Sequence, residues 1–300
     1  MGRYSKKEAL YKRMALAGIE SSALSAEKLG SIVRKILEQK IHGICFSPYI
    51  EGQGPGTQID AAQIRERLAF IQPCVNWLRT FSCTEGNELI PGIAAENGLR
   101  TMVGVWLNDD RLNNEKELAN AIEVARAGHA DILAVGNEVL LRGDMSEDEL
   151  IEYINRAKQA VPGVDVGYVD AYFKFVDHPR VTDACDVIMA NCYPFWEGCS
   201  AEYSLLYMKD MYRRAVQAAN GKKVIISETG WPNVGTPFGG AVPSYESAIK
   251  YFINTYQWAE EENIEVFYFS AFDETWKVDT EGDVGAYWGL WDKDGNLKYV

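Results

Sequence analysis

From His42 onward the chain alternates two hydrophobic patterns. Eight short apolar runs rich in β-branched and aromatic residues lie at His42–Tyr49, Val75–Ser82, Arg100–Leu107, Ala130–Glu138, Val164–Tyr172, Asp186–Tyr193, Lys222–Glu228 and Ile264–Glu274. Longer stretches of helical period separate them. Some runs have continuous apolar cores, such as Val224-Ile225-Ile226 and Val266-Phe267-Tyr268-Phe269. Such cores fit parallel strands buried on both faces.

Helix starts are marked between the runs. Ser146-x-x-Glu149 predicts a capping box ahead of Leu150, Ile151 and Ile154, and Asn114-x-x-Glu117 predicts a similar one ahead of Leu118 and Ile122. Ser200 and Ser244 are two further candidate N-caps. Beyond Ser244, the residues Ala248, Tyr251, Phe252, Thr255, Tyr256 and Ala259 form one stripe, expected to pack on a sheet. Breakers fall where helices should hand over to strands, at Gly98, Gly128, Pro162-Gly163, Asn220-Gly221 and Asn263. Ahead of the first run, Ser25 can cap a helix over 24–40 whose apolar face is Leu29, Ile32, Val33, Ile36 and Leu37.

Eight βα units in about 260 residues predict an α/β fold, a single closed (β/α)8 TIM barrel. No G-x-G-x-x-G follows the first run, which argues against an open dinucleotide-binding sheet. The expected organisation is an N-terminal helical extension over 1–40 packed on a barrel over 41–300, with no Pro/Ser-rich linker to divide two domains.

The composition, 47% hydrophobic and 24% charged, is that of a globular protein. A net charge of −13 lacks the basic footprint of nucleic-acid binding. Charge is uneven, +5 over residues 1–40 and −18 over the remaining 260, and the basic segment is read as a solvated helix face. No apolar run reaches the roughly 18 residues of a membrane span. Met14 to Ile19 falls short of the roughly 7–15 apolar residues of a signal core, so no signal peptide is read and no compartment is assigned. Six cysteines form no C-x-x-C pair, and three scattered histidines could join them. Buried thiols are therefore expected at Cys45, Cys83, Cys185 and Cys192, with no metal site and no cofactor.

Chemistry in a (β/α)8 barrel sits at the C-terminal ends of the strands. The polar residues ending the runs are Tyr49, Arg79, Asn108, Asn137, Glu138, Asp170, Tyr193, Glu228, Asp273 and Glu274. Carboxylates crowded at one mouth repel and raise one another's pKa, a cost that points to function. Taken singly, each could be a helix cap or a loop ligand.

Two settings are distinctive. Ala134-Val135-Gly136-Asn137-Glu138 ends the fourth run, and Ile226-Ser227-Glu228-Thr229-Gly230-Trp231-Pro232 ends the seventh. The pair resembles the retaining glycoside hydrolases of clan A, and the second segment resembles the nucleophile motif of glycoside hydrolase family 17. Further matches, among them Arg79-Thr80-Phe81, Asn191-Cys192-Tyr193-Pro194, Phe272-Asp273-Glu274-Thr275-Trp276-Lys277 and Gly289-Leu290-Trp291, spread the resemblance over most of 41–295. The first run, Ser47-Pro48-Tyr49-Ile50-Glu51-Gly52-Gln53, departs from the plant pattern and is similar to bacterial members, so plant endo-glucanase specificity does not carry over.

The resemblance implies that Glu138 is the acid/base and Glu228 the nucleophile of a retaining enzyme acting on β-1,3-glucan. Acetal cleavage needs a proton for a poor leaving oxygen and charge support at the anomeric carbon, which two carboxyl groups supply. The acid then needs a raised pKa, and Arg79 is a plausible positive charge beside Glu228. Asn137 is expected to bond the 2-hydroxyl of the sugar at the cleavage point. The aromatic complement of 8 Trp, 16 Tyr and 11 Phe suits the flat C–H faces of a neutral glucan. Tyr193 and Trp231 are the first choices as sugar contacts, with Tyr49, Trp196, Trp276 and Trp288 beside them. Glu274 and Lys277 either bond sugar hydroxyls or form an internal ion pair, and Asp170 is a further substrate contact. The expected activity is hydrolysis of laminarin-type glucan by a monomer, with β-glucan transglycosylation and a catalytically silent glucan-binding barrel as alternatives.

Overall fold

A computed structural model of the protein describes residues 24–299. Eight parallel strands run Ile41–Cys45 (β1), Val75–Arg79 (β2), Arg100–Val105 (β3), Ile132–Asn137 (β4), Asp165–Ala171 (β5), Val187–Asn191 (β6), Lys223–Thr229 (β7) and Val266–Tyr268 (β8). They close in sequence order, with β8 returning to β1 through Gly43 opposite Phe267 and Ile44 opposite Tyr268. The chain is thus a (β/α)8 barrel. The strands are buried almost end to end, as their continuous apolar cores predict.

The eighth run is the least regular. Only Val266–Tyr268 is a strand, and beyond it Phe272 bridges Trp291 in parallel, so the loop after β8 is folded back against the C-terminal segment.

Helix Glu147–Ala160 starts with the full capping box, Ser146 and Glu149 exchanging bonds between side chain and backbone. Helix Tyr245–Glu262 is capped by Ser244 and buries the whole predicted stripe from Ala248 to Ala259. Each fully buried Leu, Ile or Phe on such a face contributes about 1.5–3 kcal/mol. The expected box at Asn114 is wrong by one turn. Helix Arg111–Arg126 begins earlier on Asp110, and Asn114 and Glu117 lie inside it, buried. Ser200 precedes only a 3₁₀ turn, Ala201–Tyr203, without bonding it through its side chain, and the long helix starts at Ser204.

Helix Ala26–Glu38 is capped by Ser25, buries Leu29, Val33 and Leu37, and packs on helix Tyr245–Glu262. The rest of the expected N-terminal extension, residues 1–23, lies outside the described residues. Cys45, Cys83, Cys185 and Cys192 are buried free thiols.

Three strand pairs lose regular register near their C-terminal ends: β4 with β5 between Ala134 and Asn137, β6 with β7 between Ala190 and Asn191, and β7 with β8 between Ile226 and Thr229. Irregularities of this kind re-aim side chains. All three lie on the strands that carry or flank Glu138 and Glu228.

Candidate active site

At the end of β4, Gly136 takes φ +86°, where an added Cβ would press on Val139, Tyr168 and Leu150 at 3.0–3.3 Å. Two residues on, Glu138 itself is left-handed, with φ +52° and ψ +28°. A non-glycine residue held there is strained, and such strain gathers at functional sites. The turn is fixed by the Glu138 N–H donating to the Val169 carbonyl at 2.8 Å and by the one-turn helix Val139–Arg142.

The Glu138 carboxylate accepts from Asn191 Nδ2 at 2.9 Å, and Asn191 Oδ1 accepts from Ser227 Oγ at 2.8 Å. β4, β6 and β7 are thereby joined through one amide. Burial, reinforced by the Glu228 charge, pushes the Glu138 pKa up to about 7, while the Asn191 bond draws it down.

Glu228 on β7 is more deeply buried than the half-buried Glu138, and its partners differ. Arg79 Nη2 stands 2.8 Å from its Oε1, and Tyr193 donates its hydroxyl to Oε2 at 2.7 Å. Arg79 is 1% exposed, lies over the Phe81 ring and also donates to Asn137 Oδ1 at 2.8 Å. It faces Glu228 and Asn137 from within the barrel wall, and so is not an open sugar contact.

Both carboxyl groups line one cleft of about 420 Å³. Its walls include Tyr193, Trp196, Trp288 and Phe269, with Tyr172, Phe173 and Leu141 on the side of Glu138. Trp196 and Trp288 stand 5.6 Å apart at 38°, and Tyr193 meets Trp288 edge-on. One apolar wall thus faces two carboxyl groups, the combination that a pyranose ring and its acetal oxygen require.

A third carboxyl, Glu281, also lines the cleft. Burial raises its pKa to about 7, Lys277 opposes that, and Glu274 and Glu228 add to it. Lys277 is paired with Glu274 at 2.6 Å and sits 3.9 Å above the Phe269 ring, so the internal ion pair is the arrangement found. Trp276 donates to Glu274 at 3.2 Å and meets the buried Tyr49 edge-on at 6.2 Å. This cluster adjoins the cleft at β8 and β1.

Two expected sugar contacts are corrected. Trp231 is completely buried, donates its indole N–H to the Val242 carbonyl and packs between Phe195 and Tyr251, so its ring is core. Asp170 is also fully buried, accepting from the Tyr168 hydroxyl and the Ala171 N–H beneath the cleft. Its charge reaches Glu138, but its oxygens do not meet solvent. Conversely, Asn191, Glu281, Tyr172 and Phe173 are not among the expected contacts. Asn191 was legible as the polar end of β6, whereas Glu281 closes the single helical turn Val278–Glu281 and Phe173 lies in a turn after β5, neither with a pattern.

The barrel and its two-carboxyl cleft define the class, a (β/α)8 glycoside hydrolase. The comparisons place the chain within it. Residues 43–289 match the BtgE/BtgC glycoside hydrolase domain. A glucan 1,3-beta-glucosidase of Candida albicans is 34% identical over 270 residues, covering 81% of this chain and 87% of that protein. The corresponding enzyme of Saccharomyces cerevisiae is 28% identical over 269 residues, covering 81% and 86%. Among solved structures, a glycoside hydrolase family 17 β-1,3-glucanosyltransferase from Rhizomucor miehei superposes with TM-score 0.78 at 30% identity, covering 87% of this chain and 96% of that one. An endo-laminarinase from Formosa shares the fold, with TM-score 0.76 at 19% identity over 89% and 87% of the two chains. The protein belongs to glycoside hydrolase family 17.

Proposed function

We propose that this enzyme cleaves β-1,3-linked glucan with retention of anomeric configuration, using Glu138 as acid/base and Glu228 as nucleophile. The observation that carries the reading is the contrast between two carboxyl groups on one cleft. One has its pKa raised to about 7 and an amide as hydrogen-bond partner, and the other, the more deeply buried, faces a guanidinium. A carboxyl whose pKa is raised, across from a carboxylate beside a fixed cation, supports the acid role for the first and the nucleophile role for the second.

In the first step a Glu228 oxygen forms a bond to the anomeric carbon as the glycosidic C–O bond breaks, and the Glu138 proton passes to the departing oxygen. In the second, the Glu138 carboxylate takes a proton from water, whose oxygen bonds the anomeric carbon as Glu228 leaves. Arg79 and the Tyr193 hydroxyl hold Glu228 throughout, and Asn137, tethered to Arg79, faces the 2-hydroxyl. The aromatic wall of Tyr193, Trp196 and Trp288 takes the sugar faces. Trp276 supplies a neighbouring sugar contact, backed by the Glu274–Lys277 ion pair and the buried Tyr49, within a catalytic unit over 41–300 that acts as a monomer. The β-1,3 linkage is supported by the names of the relatives and by the laminaritriose complex of the Rhizomucor enzyme.

Transfer to a second sugar is the other reading, supported by the apolar wall of Tyr172, Phe173 and Leu141 beyond Glu138, which suits a sugar acceptor. A time course with laminari-oligosaccharides of defined length, beside Glu138→Gln and Glu228→Ala, separates the two. Shorter products alone indicate hydrolysis and products longer than the substrate indicate transfer, while turnover by both variants would overturn the assignment.

A further inference from the structure

The turn that carries Glu138 ends on Arg142, whose guanidinium binds at several points. Nη1 donates to the Asn137 carbonyl, the carbonyl of the peptide that leads into Glu138, at 2.5 Å. Nη2 donates to the Leu107 carbonyl just beyond β3 at 3.0 Å, and Nε donates to Asp144 Oδ2 at 2.7 Å. The group lies over the Trp106 ring, 4.8 Å from its centroid. Its own backbone N–H closes the turn on the Glu138 carbonyl at 2.9 Å. Both peptides flanking Glu138 are therefore held by one residue, and the chain ends of β3 and β4 are tied together.

We propose that Arg142 is the positioning residue of the acid/base carboxyl, holding the Asn137–Glu138 peptide in the left-handed turn that delivers Glu138 to the leaving oxygen. The inference rests on Glu138 acting as the acid/base. A planar fork is needed, because lysine is a point charge that cannot bind two carbonyls and a carboxylate in fixed directions. Arg142 does not touch the cleft, and it acts only through the backbone and its charge.

The groups facing Glu138 are Glu228 from β7, Asp170 from β5, the Tyr193 hydroxyl that follows β6, and Arg142 from its own turn. Burial and the two carboxylates favour the protonated acid, and Arg142 opposes them. Loss of the guanidinium charge therefore moves the alkaline limb of the pH profile upward, and loss of its geometry lowers the rate.

The test compares wild type, Arg142→Gln and Arg142→Lys on a laminari-oligosaccharide and on 2,4-dinitrophenyl β-laminaribioside, whose leaving group departs without a proton. Arg142→Gln is expected to lose about 10- to 100-fold in kcat/KM on the oligosaccharide, the range for a displaced catalytic group, and less than about 3-fold on the aryl glycoside. Arg142→Lys should show the same split with the alkaline limb near its wild-type position. In parallel, the Glu138 carboxyl is titrated by 13C NMR, assigned by difference with Glu138→Gln, and its midpoint should rise in Arg142→Gln. Equal losses on both substrates, or an unmoved midpoint, would overturn the proposal. Full activity of Glu138→Gln on the oligosaccharide would instead overturn the acid/base assignment, leaving the NMR midpoint to report on Arg142 alone. Should Arg142→Gln fail to fold, the substrate split in Arg142→Lys decides.

Discussion

The Tyr193 hydroxyl donates to one oxygen of Glu228 at 2.7 Å while Arg79 stands 2.8 Å from the other. Both oxygens of the carboxylate are thereby fixed from residues at the ends of two other strands, and its rotation about the terminal torsion is closed off. Preorganisation of this kind costs nothing at the moment of reaction.

Removing one of these partners should lower the rate without weakening binding. Tyr193→Phe keeps the ring against Trp288 but loses the donor, and is expected to lower kcat by about 10- to 100-fold with KM little changed. Steady-state kinetics on a laminari-oligosaccharide checks it, and a raised KM at unchanged kcat would assign Tyr193 to substrate binding alone.

The two tryptophans near the nucleophile should behave in opposite ways. Trp231→Ala opens a cavity in the core and is expected to cost about 3–5 kcal/mol of stability. Trp196→Ala removes one face of the cleft and should raise KM with a stability change below about 1 kcal/mol. Denaturant unfolding beside kinetics separates the two, and a Trp231→Ala enzyme of normal stability would contradict the buried placement.

Glu117 is an anchor of another kind. It accepts from Ser82 Oγ at 2.5 Å, Thr84 Oγ1 at 2.6 Å, the Cys83 N–H at 2.7 Å and the Trp106 N–H at 3.1 Å, pinning the loops after β2 and β3. Glu117→Ala strands these donors and should cost roughly 3 kcal/mol. The alkaline limb set by Glu138 should stay where it is, as pH profiles of the folded variant would reveal.

Stability should carry the signature of the buried acid. The Glu138 carboxyl titrates near 7 in the folded chain, against an ordinary value of about 4.3 when unfolded. A raised carboxyl favours folding fully below the unfolded value, and that contribution is lost as pH rises through about 7. Glu138→Gln escapes the loss, which amounts to on the order of 3 kcal/mol at complete ionisation. Its Tm advantage over wild type should therefore widen between pH 5 and pH 8, and a gap independent of pH would show that Glu138 titrates normally.

Much of this fold was legible because a parallel barrel writes itself in continuous apolar runs. The run from Lys222 to Glu228 became β7 almost residue for residue, since both faces are covered and its apolar core, Val224-Ile225-Ile226, is unbroken. Capping was legible where the box is bonded, at Ser146, and misleading at Asn114, where the same spacing serves a buried loop anchor. Glu138, Glu228, Arg79 and Tyr193 were found because the end of a strand fixes which side of the barrel a residue reaches. Trp231 was misread because distance along the chain from a strand end does not say whether a ring turns outward or folds beneath the loop. Glu281 was missed because the β8 loop doubles back on the C-terminal segment, a tertiary event with no local period.

The central claim is that Glu228 bonds covalently to the sugar. Incubation with a 2-deoxy-2-fluoro-β-laminaribiosyl fluoride, followed by peptide mass spectrometry, tests it directly. The account predicts a fluoroglycosyl adduct on the peptide bearing Glu228, absent in Glu228→Ala and released by an added laminari-oligosaccharide acceptor. An adduct on Glu138 or Glu281, or no adduct while the fluoride is turned over with inversion, would contradict it.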